Sequence, residues 1–172
     1  EAAPTLDPDD VAGAALFAHA RGDLHTHTSA SDGGSPLEEM ARVAARLGRS
    51  YIAITDHSPR LRVANGLSPQ RLREQISQVA ELNHVLAQEG IAMRVLTAIE
   101  VDILDDGSLD QEPELLADLD IVVGSVHSEL RMESAAMTRR MVRAVANPDL
   151  DVLGHCTGQL VEGARGTRPR SQ

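Results

Sequence analysis

Histidine and carboxylate residues recur along this chain at the points where short apolar runs end. Five runs are followed by such residues, in chain order His25, His27, Asp56, His57, Glu100, His127 and His155. Imidazole nitrogen and carboxylate oxygen together suit Zn, Mn or Fe better than Ca. A single histidine near a strand end is usually structural, but five of the seven histidines repeat this placement. The pattern therefore predicts metal binding.

Spacing supports a shared ion. His25 and His27 lie two residues apart, so on a strand both side chains leave the same face and can reach one metal. Four acidic residues are close enough in sequence to be further ligands or to accept hydrogen bonds from histidine N–H groups: Asp23, Asp32, Asp56 and Asp102. His19 and His84 fall within predicted helices, where we expect no ligand role.

The elements between these residues alternate in type. Apolar periodicity predicts helices at 7–20, 35–47, 68–90, 112–119 and 134–146, and strands at 23–27, 51–55, 93–101, 121–126 and 151–155. Short apolar strands that alternate with helices are typical of an α/β fold with a parallel sheet and right-handed crossovers. The carboxyl ends of all strands then lie on one side, where we expect the histidines to converge.

Local signals mark several boundaries. Ser35 and Glu38 have capping-box spacing, and Ser68-Pro69 is typical of a helix start. Asp105-Asp106-Gly107 predicts a turn. Arg139, Arg140 and Arg143 are interpreted as a solvated helix face, and Cys156 as a small buried residue.

Composition limits the partners. The net charge of −10 disfavours nucleic-acid binding by the whole surface, and Phe17 and Tyr51 are too few for a stacking platform. Any nucleic acid would have to be held locally by metals and a few arginines. No apolar run predicts a membrane span, and the acidic start does not resemble a signal peptide. The single cysteine, Cys156, fits a reducing cytoplasm.

Five segments resemble the successive motifs of the PHP (polymerase and histidinol phosphatase) domain: Asp23–Thr28, Ala53–Ser58, Ile99–Ile103, Ser125–Ser128 and Leu153–His155. The resemblance runs in order from about residue 21 to residue 170. Three further segments resemble the PHP module of bacterial family X DNA polymerases and its stand-alone relatives: Ser31–Gly33, Asn65–Leu67 and Asp106–Asp110.

The resemblance implies a distorted (β/α)7 TIM-like barrel with two or three Zn, Mn or Fe ions at its mouth. By the family pattern, His25, His27 and Glu100 serve the first metal. Glu100 bridges to a second ion, held also by His127 and His155, and Asp32 and His57 serve a third.

Arginines in loops after the strand-end motifs are candidates for holding substrate phosphate, because a guanidinium matches phosphate oxygens. They are Arg60, Arg62 and Arg131. With Glu100 and His127, Arg62 and Arg131 complete the set of residues expected to carry catalysis.

The sequence departs from the family pattern at its end. The last motif, an Asp-x-His, has no counterpart, and neither do the last two strands. We therefore expect a barrel truncated to about five strands, with residues 1–21 as a helix or linker and 22–172 as an incomplete PHP domain. An open edge offers a surface for a polymerase partner or for self-association.

The expected function is hydrolysis of phosphate esters by a metal-activated water. The family X branch favours DNA 3′ ends or nucleotides as substrates, hence a 3′–5′ exonuclease or nucleotide 3′-phosphatase linked to DNA repair. The acidic surface favours histidinol phosphate or another small metabolite instead. The absent final motif favours a degenerate, non-catalytic module. An amidohydrolase-type site is disfavoured, because the sequence has no lysine to serve as a carbamylated ligand.

Overall fold

A computed structural model describes residues 11–156 of the chain. Its strands are β1 (Gly22–Thr26), β2 (Tyr51–Ile54), β3 (Arg94–Asp102), β4 (Ile121–Ser125) and β5 (Val152–Leu153). Its helices are α1 (Val11–His19), α2 (Leu37–Arg46), α3 (Pro69–Gln88), α4 (Pro113–Ala117) and α5 (Ser134–Val145), with a 3-10 turn at Arg62–Ala64. The predicted alternation of elements is confirmed. The predicted start of the first helix at Asp7 and the predicted loop after residue 156 lie outside the described residues.

The five strands form one sheet in the order β1-β2-β3-β4-β5, and every neighbouring pair is parallel. Sequential order with helical crossovers curls the sheet into a half-barrel, which confirms the α/β class and the five-stranded, partial TIM-like barrel. Within the described residues β1 and β5 are the edge strands. None of the helices described is long and apolar enough to span a membrane.

Alternation along β3 separates the core from the site. Ile99 and Val101 are fully buried in the hydrophobic core cluster that also contains residues of α4 and α5. Glu100 and Asp102 therefore point to the opposite face of the sheet, since successive strand residues alternate. A second aliphatic cluster packs α2 and α3 on the sheet and includes Ile52 and Ile54 of β2 and Val95 of β3. The core is aliphatic, as the composition requires.

The helix starts are partly as predicted. The Ser68 hydroxyl accepts a hydrogen bond from the backbone N–H of Arg71 at 3.3 Å, so this cap of α3 is confirmed. The capping box at α2 is wrong, because the N-cap is Pro36 and no side chain caps the helix. Ser35 belongs instead to the preceding loop, where its carbonyl oxygen accepts from the N–H of Ser29 at 2.9 Å.

Two interpretations of single residues are wrong. Arg140 is not solvated: the residue is 2% exposed, whereas Arg139 and Arg143 are exposed as predicted. Cys156 is exposed rather than buried, because it follows a two-residue strand at the edge of the sheet. The turn at Asp105-Asp106-Gly107 is confirmed, with Gly107 at a φ of 86°.

Candidate metal centre

Glu100 is the centre of the candidate site. It is fully buried near the end of β3, and histidines surround its carboxylate. Its Oε2 atom lies 3.2 Å from His57 Nδ1, 3.5 Å from His27 Nε2 and 3.7 Å from His25 Nε2. These three imidazoles come from the ends of β1 and β2, so two neighbouring strands deliver them to one carboxylate oxygen.

The other oxygen of Glu100 faces a second pair of imidazoles. Oε1 lies 3.0 Å from His155 Nε2 and 3.4 Å from His127 Nε2. These two residues follow β5 and β4, on the opposite side of β3 from the first three. The two oxygens of a single carboxylate thus face two separate groups of histidines. The structure brings together all five histidines that the sequence places at strand ends.

Three overlapping groups of side chains have ligand atoms within 4.8 Å of one another: His25–His27–Glu100, His27–Asp32–His57 and His57–Glu100–His127. Two nitrogens that each lie about 2.0–2.1 Å from one zinc ion must lie within roughly 4 Å of each other. The Nε2 atoms of His25 and His27 are 3.2 Å apart, which satisfies this limit. The third group pairs Glu100 and His127 with His57 rather than with His155, so the assignment of ligands to individual ions stays a prediction.

The deeply buried atoms of this cluster lack hydrogen-bond partners. Both carboxylate oxygens of Glu100 and the Nδ1 atoms of His27 and His57 are buried without one. Buried polar atoms are nearly always bonded, since leaving one unsatisfied costs on the order of 1–3 kcal/mol. Cations bound between these atoms would satisfy them together. The residues present therefore fit a metal centre with nitrogen and oxygen ligands, of the kind that Zn, Mn or Fe occupies.

The surroundings of the cluster favour an ionised carboxylate at Glu100 and a neutral imidazole at His57. Burial alone would raise the pKa of the Glu100 carboxyl, but the neighbouring His127 and Ser125 more than offset this effect and lower it to about 2. Desolvation lowers the pKa of His57, which favours the neutral imidazole that a metal requires.

Asp102 contacts the His127 ring at Nδ1, the nitrogen that does not face Glu100. Its Oδ1 atom lies 2.6 Å from His127 Nδ1, and this bond, followed by the nearby Glu100, raises the pKa of His127 to about 9. A carboxylate that accepts from Nδ1–H leaves Nε2 to face Glu100 and a bound ion. Of the two roles foreseen for Asp102, the structure favours the acceptor role.

Asp56 organises a loop and belongs to none of the candidate metal groups in the described chain. Its carboxylate accepts from the backbone N–H of Thr28 at 2.7 Å and from the Thr28 hydroxyl at 2.6 Å. The Ser31 hydroxyl and the Gln75 amide also donate to it. Asp23 plays a local part too, because its Oδ1 accepts from the backbone N–H of His25 at 3.0 Å.

The loop that carries Asp32 is held by residues that the sequence interpretation missed. Arg71 donates to the carbonyl oxygens of Asn65 at 2.8 Å and Gly66 at 3.1 Å, and also to that of Ala30. Arg71 and Gln75 lie four residues apart on α3, on one face of the helix. The sequence signal that could have identified them is the placement of two polar residues four positions apart beside the apolar stripe of α3.

The predicted phosphate-binding arginines are exposed. Arg62 lies in the 3-10 turn after β2, and Arg131 lies in the loop between β4 and α5. Neither side chain bonds an acceptor in the part of the chain that is described, and the same holds for Arg60, whose backbone N–H donates to Asp110. Their role in substrate binding stays a prediction. His19 Nδ1 lies 2.7 Å from the carbonyl oxygen of Ala15, and His84 Nε2 lies 2.9 Å from Nε2 of Gln88, each within its own helix.

Comparison with known proteins matches the PHP domain to residues 23–161. The chain is 40% identical over 141 residues to the DNA polymerase/3′-5′ exonuclease PolX of Bacillus subtilis, covering 82% of this chain and 24% of that protein. It is 33% identical over 138 residues to a protein named probable phosphatase from Caldanaerobacter subterraneus, covering 77% of this chain and 50% of the relative. A similarly named protein from Acetivibrio thermocellus is 32% identical over 138 residues, covering 77% of this chain and 53% of the relative. The chain thus spans about a quarter of PolX and about half of these phosphatases.

Proposed function

The chain belongs to the PHP domain family, which matches residues 23–161, and from this premise we propose that it is a metal-dependent hydrolase of phosphate esters. The observation that carries the proposal is the carboxylate of Glu100, whose two oxygens face two separate groups of histidines. A carboxylate placed between two groups of histidines could serve two neighbouring ions, and two-metal sites suit phosphate-ester hydrolysis. The relatives named as phosphatases and as an exonuclease support the same class of reaction.

The proposed ligand sets follow the family pattern and agree only in part with the groups of neighbouring side chains in the described residues, since His155 belongs to none of those groups. His25, His27 and Glu100 would hold one ion, Glu100 would also serve a second ion with His127 and His155, and Asp32 with His57 would serve a third. Ions of Zn, Mn or Fe bound there would supply an activated water, with its pKa lowered from ~15.7 toward ~7, and positive charge for the phosphate oxygens.

The chain's own residues would orient the ligands and the substrate. Asp102 fixes the ring of His127 through its Nδ1 atom. Arg62 and Arg131 would bind phosphate oxygens, since both guanidinium groups are exposed on loops that follow carboxyl ends of strands and have no acceptor among the described residues.

For the substrate, we propose DNA 3′ ends or nucleotides, in a 3′–5′ exonuclease or nucleotide 3′-phosphatase reaction of DNA repair. The support is the identity of 40% to a relative named as a polymerase and 3′-5′ exonuclease. The second candidate is a small phosphorylated metabolite such as histidinol phosphate. The net charge of −10 favours it, because an acidic surface repels a polyanion.

The test compares two substrates and one ligand variant. Labelled single-stranded DNA and a small phosphate monoester are assayed side by side with Mn or Zn added. We expect His127→Ala to lower turnover by at least about 100-fold, since even the outer partners of metal ligands are worth about 10–100-fold. His84→Ala is the control, because His84 is an exposed histidine on α3.

Turnover of His127→Ala at the rate of the unaltered chain would contradict the proposal. Binding of a single ion with no hydrolysis of either substrate would favour a non-catalytic PHP module. Hydrolysis of the monoester alone would favour the small-metabolite candidate over DNA.

A further inference from the structure

Arg140 is a buried cation outside the candidate metal centre. It lies on α5, and its side chain is 0% exposed. Arginine is almost never fully buried unless its guanidinium is bonded. The next residue toward the N-terminus, Arg139, is exposed on the same helix. The burial of Arg140 therefore calls for an explanation that its sequence neighbours do not need.

The guanidinium of Arg140 is bonded mainly to backbone carbonyls of two loops. Its Nε donates to the carbonyl oxygen of Leu104 at 2.9 Å, and its Nη2 donates to that of Ile103. Its Nη1 donates to the carbonyl oxygen of Ser128 at 3.0 Å, and Nη2 also donates to the Ser128 hydroxyl at 3.1 Å. The nearest carboxylate oxygen, Oδ1 of Asp105, lies 3.6 Å away, so the neutral acceptors take most of its donors.

The two bonded loops are those that follow Asp102 and His127. Ile103 is the residue after Asp102, and Ser128 is the residue after His127. The side chains of Asp102 and His127 in turn bond each other at 2.6 Å. One rigid, planar guanidinium therefore ties together the backbones that carry both members of this pair.

The packing of α5 leaves this loop little freedom. Gly107 is buried, and a Cβ added to it would overlap the carbonyl oxygen of Arg140. The helix thus lies directly on the β3–α4 loop, and Arg140 reaches across it to the β4–α5 loop. A residue that only filled space here could be apolar, whereas four hydrogen bonds to two loops specify their relative position.

We infer that Arg140 is a positioning residue that sets the geometry of the Asp102–His127 pair and thereby the metal affinity at His127. This inference rests on the proposed function, in which His127 is a metal ligand. It acts through the backbone, so its effect should be confined to the ion that His127 holds. The His25 and His27 side of the site receives no bond from Arg140.

The experiment is a titration of the whole metal-free chain with Co²⁺, followed by visible absorption and by direct metal analysis. The absorption lost in His127→Ala identifies the ion held by His127. We expect Arg140→Met to weaken this component by about 10–100-fold, the range found for outer partners of metal ligands, and to leave the remaining absorption unchanged. Arg140→Lys should recover part of the affinity, because it keeps the charge and one of the three donor nitrogens.

Arg139→Met is the matched control, since it makes the same change one residue away on an exposed position. Unaltered Co²⁺ affinity at every site in Arg140→Met, with only a lower unfolding temperature, would show a merely structural role and overturn the inference. Should Arg140→Met fail to fold, Arg140→Lys and Ser128→Ala decide instead. Both should weaken the His127 component severalfold, and normal affinity in both would refute the inference.

Failure of the proposed function gives a different result. An unaltered chain that binds no Co²⁺, or a His127→Ala variant that binds it normally, removes the metal role of His127 itself, and the inference falls with it. Loss in His127→Ala without loss in Arg140→Met leaves the metal site standing and rejects only the role of Arg140.

Discussion

At the scale of single residues, the bond between Asp102 and His127 predicts how metal affinity depends on pH. In the metal-free protein this bond, followed by the effect of Glu100, raises the pKa of His127 to about 9, so the imidazole is protonated at pH 7. A metal must displace that proton, which means that affinity falls as pH falls below about 9. Between pH 7.5 and 8.5 we expect Co²⁺ affinity at His127 to rise roughly tenfold, one proton being released per ion bound.

Asp102→Asn tests the cause. The neutral amide no longer stabilises the protonated imidazole, so the pH dependence between 7.5 and 8.5 should become flatter. Asp118→Asn is the control, because Asp118 is exposed at the end of α4. Affinities measured by calorimetry in two buffers also give the number of protons released. Identical slopes in Asp102→Asn and the unaltered chain would mean that another group controls the titration.

Residue types explain which parts of the site could be predicted. The five histidines and Glu100 were recognisable because they repeat one position, the end of a strand, and parallel topology brings such positions together. Arg140 and Arg71 carry no such repetition. From the sequence, an arginine on a helix is expected to be solvated. Whether Arg71 or Arg140 is buried or hydrogen-bonded depends on loops that come from other parts of the chain and pack against the helix.

At the scale of elements, the β1–α2 loop depends on a close approach at Gly33. A Cβ added there would overlap the carbonyl group of His27, whereas the same addition at Gly34 meets nothing within 4 Å. Gly33→Ala should therefore displace the loop that carries Asp32 and destabilise the chain by about 1–3 kcal/mol, a cost typical of overpacking. Gly34→Ala should stay within about 0.5 kcal/mol of the unaltered chain.

Urea unfolding of the metal-free chain measures both glycine variants, and the adjacent position makes Gly34→Ala a stringent control. Metal analysis reports on the same loop, because displacement of Asp32 should weaken the binding of an ion by Asp32, His27 and His57. Equal stability of the two variants would show that the loop can shift without cost, and that its bonds to Asp56 do not fix its path.

Helices and strands were predicted well where the apolar pattern extends over many residues. They were predicted poorly where a few polar contacts determine the end of an element. The helix α3 and its Ser68 cap follow from the sequence, since the stripe and the cap agree. The start of α2 does not, because Ser35 bonds within the loop rather than capping the helix. The strand β5 has only two residues, and His155 after it adopts a φ of 46°, a backbone conformation that no residue-type signal predicted.

At the scale of the whole molecule, parallel pairing was predictable from the alternation of elements, whereas the sequential strand order was implied by the resemblance to a barrel, because alternating elements also form doubly wound sheets with another order. The strands β1 and β5 are edges in the described part of the chain, so pairing with a polymerase partner or a second copy at an edge stays a prediction. The relatives extend well beyond the matched region. The substrate, by contrast, depends on how the net charge of −10 is balanced locally by ions and arginines.

Salt dependence separates the two substrate candidates. For single-stranded DNA, each phosphate contact contributes about −0.7 to the slope of log affinity against log salt concentration. If only Arg62 and Arg131 contact phosphates on this acidic surface, the slope should be about −1.4, and Arg62→Ala should reduce it by about 0.7. Arg46→Ala is the control. Arg46 is exposed at the C-terminal end of α2, where the chain leads into the start of β2, whereas the candidate metal centre lies at the other end of the strands.

The measurement is binding of a labelled oligonucleotide to the metal-loaded chain over a range of salt concentrations. A slope near −1.4 that only the Arg62 and Arg131 variants reduce would place the strand at the mouth of the site. A much steeper slope would require further basic residues, against the prediction from net charge. A slope near zero, together with hydrolysis of a small monoester, would mean that the acidic surface excludes DNA and selects a small substrate for the same metal centre.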